Sequence, residues 1–355
     1  MSEAFPETIG RRLGEEDALL ISRPDRIYAF EHMGIPSGAH PSRATILKIA
    51  EEMDVDFAVM GSFMFDGKQL TVRAQMLNVK SLRMTPEIVE SGGLPQFMDI
   101  MDSLAWDLLH SNMMHGPATG DNIALKRAYV VSKTGPRLDA YEKFIRGVSA
   151  SGAKEKLVLL QEAVQAGPDF PEARIAYGEA LYTAKNYTQA EEVLRGVPNS
   201  SPLSGEAHFF AGLAEVFTSH YDRAEDSFSA VVARLPLIEA VNNLGVAQAR
   251  RGKKTAIEQF FKATEADSTD PDYHFNLAIA QWRSGATQEA ATQLKEALTI
   301  DPGFADAKNL LDSIQSGQPP AHQPLERVKL NYDETSYRQL QLEIERVQLK
   351  KSHLP

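Results

Sequence analysis

Three asparagines and two arginines in the second half of the chain, Asn242, Asn243, Asn276, Arg250 and Arg283, are the residues best equipped for recognition chemistry. An asparagine side chain carries a donor and an acceptor, so it can hold both the C=O and the N–H of an extended peptide. A guanidinium matches a carboxylate with two parallel N–H bonds. Phe275 and Trp282 lie beside them and have the character of interface anchors. With Phe209, Leu213, Ile279 and Asn309 they complete the candidate partner-binding set. Each member also has a plainer use. Asn243 and Asn276 can bond between adjacent helices, Trp282 can pack between neighbouring units, and the arginines can be solvated.

Catalytic chemistry has little to stand on. The 355 residues include no cysteine, which excludes a thiolate nucleophile, a disulfide, a thiolate zinc site and an iron–sulfur cluster. There is no phosphate loop, no dinucleotide glycine fingerprint, no Gly-x-Ser-x-Gly elbow and no His-Glu-x-x-His. His110 and His115 flank a methionine pair without a third ligand nearby and read as a polar helix end. The pairs Glu51-Glu52 and Glu191-Glu192 read as solvated helix faces, and the basic run from Arg250 to Lys254 as a turn between helices. A net charge of −11 argues against non-specific nucleic-acid binding. No apolar run reaches the length of a membrane span. The expectation is a protein that is not an enzyme and takes no cofactor or metal.

The elements that would position the recognition residues repeat. Pro168, Pro202 and Pro236 recur every 34 residues, as do Tyr187 and Tyr221. Gly178, Gly212, Gly245 and Ala278 follow the same period within one residue, matched by Ala190, Ala224, Ala256 and Ala290. Four residues after each of these alanines comes a large apolar residue: Leu194, Phe228, Phe260 or Leu294. Small residues let two helices approach, the large one fills the space between them, and proline ends the second helix. This pattern resembles the tetratricopeptide repeat. The units span 171–204, 205–237, 238–270 and 271–304, with a degenerate first unit at 137–170 and a last helix from Ala305 to Ile314. The unit around Lys253, Lys254 and Thr255 is one residue short, so a tighter turn is expected there. The resemblance implies a right-handed solenoid whose concave wall carries the candidate residues, and a protein or peptide as partner.

The first 115 residues read as a small α/β or α+β unit: a helix over 5–15, a strand over 18–22, and a helix capped by Ser42. A hairpin follows, with alternating strands on either side of an Asp66-Gly67 type I′ turn, then a strand at 87–90 and a helix from Phe97 to Leu109. Phe57, Met60, Phe63, Met64 and Phe65 are expected in the core. The stretch from Ile49 to Phe63, the polar turn and the strand carrying Arg73 resemble the amino-terminal domain of TolB and its FlgO-like and CsgG-like relatives. That family opens with a further strand, for which this chain has no counterpart. The resemblance implies binding and assembly.

The expected domain map is 1–115, a connecting segment at 116–136, repeats over 137–317, a proline-rich linker at 318–324 and a terminal helical segment at 325–355. The terminal helix, from about 334 to 350, has three uses open to it: capping the solenoid, docking in its own groove, or pairing with another protein. Packing against the last repeats is the favoured one. As written the N-terminus shows no signal peptide, so the expected location is cytoplasmic, or periplasmic and envelope-associated if a segment precedes Met1. The leading expectation is a non-enzymatic scaffold or adaptor. The alternative is a regulatory or sensory fragment of a larger bacterial signalling protein, and self-association is a third option.

Overall fold

The computed structural model describes residues 4–14, 18, 20, 21, 23–36, 41–114, 121–133, 135–201, 203–320, 322–333, 337 and 340. The chain divides into two compact units, residues 1–149 with 165–167, and residues 150–164 with 168–355.

The first unit contains α1 (Ala4–Gly14), α2 (Arg23–His32) and α3 (Arg43–Glu52), followed by β1 (Phe57–Phe65), β2 (Gln69–Asn78) and β3 (Ile88–Gly93), then α4 (Phe97–Leu109), α5 (Asn122–Ser132) and α6 (Leu138–Ser149). The strands form one antiparallel sheet in the order β1-β2-β3. Alternation along β2 buries Leu70, Val72, Ala74 and Met76, and α4 covers β2 and β3 with its buried stripe of Phe97, Ile100, Met101, Leu104 and Leu108. Ser42 caps α3 by accepting from the Thr45 N–H at 3.2 Å. At the interior of the unit Arg12 of α1 forks onto Asp102 of α4, its second contact being 3.2 Å.

Four expectations for this unit are corrected. Residues 18, 20 and 21 are not a strand; Leu20 lies over Gly10 and Gly14 of α1, and the Ile21 carbonyl accepts from Arg26 at 2.7 Å. The unforeseen helix α2 follows. The hairpin turn is centred on Gly67 and Lys68. Asp66 and Gln69 close it, and a positive φ occurs at Gly67 alone, the signature of type II′. The Asp66 carboxylate accepts from the N–H groups of Lys68 and Gln69, which lowers its pKa. Finally, Phe63, Met64 and Phe65 are 40%, 64% and 40% exposed. β1 is an edge strand beyond the reach of α4, and Phe63 finds cover in a stack against Phe5.

Residues 116–136, read as a connection, contain α5, capped by Asp121. Lys126 of α5 binds Glu90 at 2.5 Å and Asp107 at 2.8 Å. Burial alone would lower the Lys126 ammonium, but these two carboxylates outweigh it and raise its pKa. Helix α6 continues the same unit: the Tyr141 ring lies 5.8 Å from Phe97, and its hydroxyl meets Thr8.

The second unit is a run of helical hairpins: α7 (Ala153–Ala166), α8 (Pro171–Thr183) with α9 (Tyr187–Arg195), α10 (Ser204–Phe217) with α11 (Tyr221–Arg234), α12 (Ile238–Arg250) with α13 (Ala256–Ala266), α14 (Pro271–Arg283) with α15 (Thr287–Ile300), and α16 (Ala305–Ser316). Pro202 lies outside the described residues. The small-to-large pairing expected from the period is present. A Cβ on Gly212 would sit 2.8 Å from the Phe228 ring, and one on Gly245 2.7 Å from Phe260. In each of the four hairpins the turn passes through one left-handed residue: Lys185, Ser219, Gly252 and Gly285, with φ of 62°, 63°, 72° and 90°. At the short unit, Ala256, Ile257 and Glu258 donate to carbonyls three residues back, so the chain winds more tightly into α13.

One charge reading is corrected. Glu191 is not on a solvated face; its side chain is buried and accepts from Arg223 and, at 2.9 Å, from the His220 ring. Glu225, 34 residues on, does the same with Arg251 and Lys253. In both, burial disfavours the charge, but the partners prevail and lower the pKa. Glu51 and Glu52 are exposed, as expected.

Candidate functional site

Helices α12 and α14 carry the same pair of residues seven positions apart, Asn243 with Arg250 and Asn276 with Arg283. Seven residues are two helical turns, so each pair shares one helix face. The pairs sit one repeat apart, and the faces that carry them are adjacent. Asn242, Asn243 and Asn276 have no solvent exposure.

What they hold is a segment of the same chain. Residues 323–333 run without regular secondary structure across α14, then α12, then α10. Asn276 donates to the Arg327 carbonyl at 2.8 Å and accepts from the Arg327 N–H at 2.6 Å. Asn243 repeats the arrangement at Lys329, donating and accepting at 2.8 Å each. Asn242 adds a bond to the Arg327 carbonyl at 3.1 Å and accepts from Asn276 at 2.7 Å, so the asparagines also bond between adjacent helices. The Glu326 carboxylate lies between the two arginines: Arg250 Nε donates to one oxygen at 2.7 Å, and Arg283 pairs with the other. Arg250 also reaches the Glu326 carbonyl at 3.2 Å, and Arg283 the Pro324 carbonyl at 2.8 Å. The Glu326 side chain is fully buried, against 18% and 32% exposure for Arg250 and Arg283.

Side chains on either side complete the fit. Val328 packs into the clusters around Phe228 and Phe260. Lys329 reaches Asp270 at 2.6 Å and Asp272 at 2.7 Å. Burial works against its charge, but the two aspartates prevail and raise its pKa. Arg327 pairs with Asp306 and lies over the Phe304 ring. Tyr332 sets its ring edge-on to Phe209 at 4.8 Å. Burial raises the pKa of Glu239, against the hydrogen bond it receives from the Asp333 backbone.

The structure brings together Asn242, Asn243, Asn276, Arg250 and Arg283, with Phe209 at the far end. Leu213 lies fully buried in the cluster that receives Tyr337. Phe275 and Ile279 are also fully buried, and with Trp282 they pack toward Phe304 and Leu310 rather than on the segment. Asn309 is exposed on α16. Sequence reading missed Asp270, Asp272 and Asp306. Asp270 was recognisable as an N-cap ahead of Pro271 and does accept from the Asp272 N–H at 2.9 Å. The terminal helix expected at 334–350 lies outside the described residues except for Tyr337 and Leu340. His110 stacks on Trp106 at 3.6 Å, and His115 lies outside the described residues. Among the described residues no three His, Asp or Glu side chains gather where they could hold a metal ion, and no helix is long and apolar enough to cross a membrane.

Two stretches match tetratricopeptide repeat models, residues 153–213 and residues 254–303. The chain therefore contains tetratricopeptide repeats. No curated protein matches it. Among solved structures, MamA from Desulfovibrio magneticus RS-1 is 23% identical, covering 48% of this chain and 99% of that one with a TM-score of 0.44. YrrB, described as a tetratricopeptide protein with an unusual peptide-binding site, is 17% identical, covering 55% and 93% with a TM-score of 0.40. A third, a thermophilic tetratricopeptide protein from Thermus thermophilus, is 17% identical, covering 50% and 99% with a TM-score of 0.36.

Proposed function

We propose that the protein is a non-enzymatic scaffold that holds a peptide segment of a protein partner across the first helices of its repeats. One observation carries this reading: a duplicated Asn–Arg pair whose asparagines address main-chain N–H and C=O groups and whose arginines enclose a carboxylate. Main-chain clamps accept any peptide, and the arginines select an acidic one. We also propose that the first unit is a TolB-like binding module. Its hairpin into the strand carrying Arg73 supports that reading, and it would offer a second contact surface.

The test is selection from a displayed random-peptide library. The target is the full chain with Glu326→Arg, which sets a cation against Arg250 and Arg283 and so vacates the groove. Enrichment of a peptide family is expected. Adding Asn243→Ala, Asn276→Ala and Arg283→Ala should abolish it with an unchanged circular dichroism spectrum. Equal enrichment on both targets would overturn the assignment.

A further inference from the structure

We infer that residues 324–332 are a built-in competing ligand, and that the groove's external partner is a peptide of the same chemistry. That chemistry is a glutamate, an aliphatic residue two places on and an aromatic residue six places on. The inference deepens the peptide-binding reading and rests on it.

The pattern is read from what the groove encloses. Of the segment's charged side chains only that of Glu326 is wholly buried, with both oxygens met by arginine. An aspartate, one methylene shorter, would not reach both. Val328 is the aliphatic contact, lying over the junction of two repeat cores. Tyr332 supplies the aromatic edge against Phe209. Lys329 meets Asp270 and Asp272, so a cation three places after the glutamate adds complementarity. Arg327 meets Asp306 and the Phe304 ring at the margin, while Leu325 and Leu330 go unread, 57% and 48% exposed.

The same features point to an occupant lodged on the solenoid and not built into it. A strand belonging to the core would bury alternate apolar residues throughout, whereas this segment is held by main-chain clamps, by ion pairs at Glu326, Arg327 and Lys329, and by the side chains of Val328 and Tyr332. It is tethered by the short linker after α16, which ends at Gly317 with a left-handed φ of 67°. A short tether gives an effective concentration on the order of 1 mM, so a tail of ~10 µM intrinsic affinity weakens a partner peptide's apparent binding about a hundredfold. A partner must therefore be abundant, multivalent, or accompanied by an event that frees the tail.

The test uses the full chain with a protease site replacing residues 319–323, so that folding precedes cutting. A fluorescent peptide of residues 323–333 is titrated before and after cleavage. We expect weak binding to the uncut chain, and binding about a hundredfold tighter once the cut tail has been diluted away. Uncut Glu326→Arg should match the cut protein, and a peptide with its own glutamate changed to arginine should bind neither. Equal affinity for cut and uncut protein would overturn the competition, as would a concentration-dependent dimer formed by exchanged tails. Library peptides that bind the vacated groove without a glutamate would overturn the specificity while leaving the peptide-binding reading intact. A library that yields nothing would remove that reading as well.

Discussion

Asn276 makes three hydrogen bonds through one amide, two to the Arg327 main chain and one to Asn242. Replacing it with alanine strips the Arg327 N–H of its acceptor, leaves the Arg327 carbonyl only its bond from Asn242, and should cost about 1–2 kcal/mol. The visible consequence is faster amide exchange at Arg327 and Lys329, with the helices unchanged. Asn276→Asp should be no milder, because it keeps the acceptor but sets a carboxylate against the Arg327 carbonyl. Exchange at wild-type rates in both variants would mean that the clamp contributes nothing. The sequence marked these asparagines as candidates for main-chain contact and left open a bond between adjacent helices; in the structure they make both. The identity of the occupant was not legible. Nothing in Glu326 or Val328 marks them as ligand until the fold lays them across residues 43 or more positions earlier in the chain.

At the scale of the helical hairpin, the left-handed turn residue is the most exposed weakness. Lys185 adopts φ 62° where its counterpart Gly285 adopts 90°. A side chain in that region costs roughly 1 kcal/mol, so Lys185→Gly should raise the thermal midpoint and Gly285→Ala should lower it by a comparable amount. Gly245→Ala is a different matter. Its new methyl would meet the Phe260 ring at 2.7 Å, and overpacking of this kind costs typically about 1–3 kcal/mol. Glu225 ties α11 to the turn after α12, and its lowered pKa sets a pH window. A carboxylate with a depressed folded-state pKa stabilises above the ordinary glutamate value of 4.5, and that contribution fades as pH falls below it. Denaturant melts should therefore show a wild-type advantage over Glu225→Gln at pH 7 that shrinks through this range. The helical period was plain in the sequence because one unit repeats it four times. The strand wrongly expected at 18–22 had only a short apolar run behind it, and the exposure of Phe63 to Phe65 depends on which strand α4 covers. That is decided by tertiary packing, not by local pattern.

For the whole molecule, two compact units imply separable stabilities. Asp102 and Arg12 are almost completely buried in the first unit. Breaking a buried pair by removing one partner costs about 3–5 kcal/mol, so Asp102→Ala should destabilise that unit severely. The repeat unit, followed by exchange at α12 and α14, should retain its protection. Loss of protection in both units would show that they fold as one. The architecture was legible as a division into a small sheet-containing part and a solenoid. The extent of the first part was not, because α5 and α6 join it through Lys126 and Tyr141, residues with no distinguishing mark in the sequence. The order of the chain also has a consequence in time. Arg283, the last of the clamping residues, precedes Glu326 by 43 residues. At roughly 5–20 residues per second of synthesis, the recognition surface is complete for about 2 to 9 s before its own occupant is made. Each molecule is thus born with its groove open, and whichever peptide is at hand in those seconds meets no competitor.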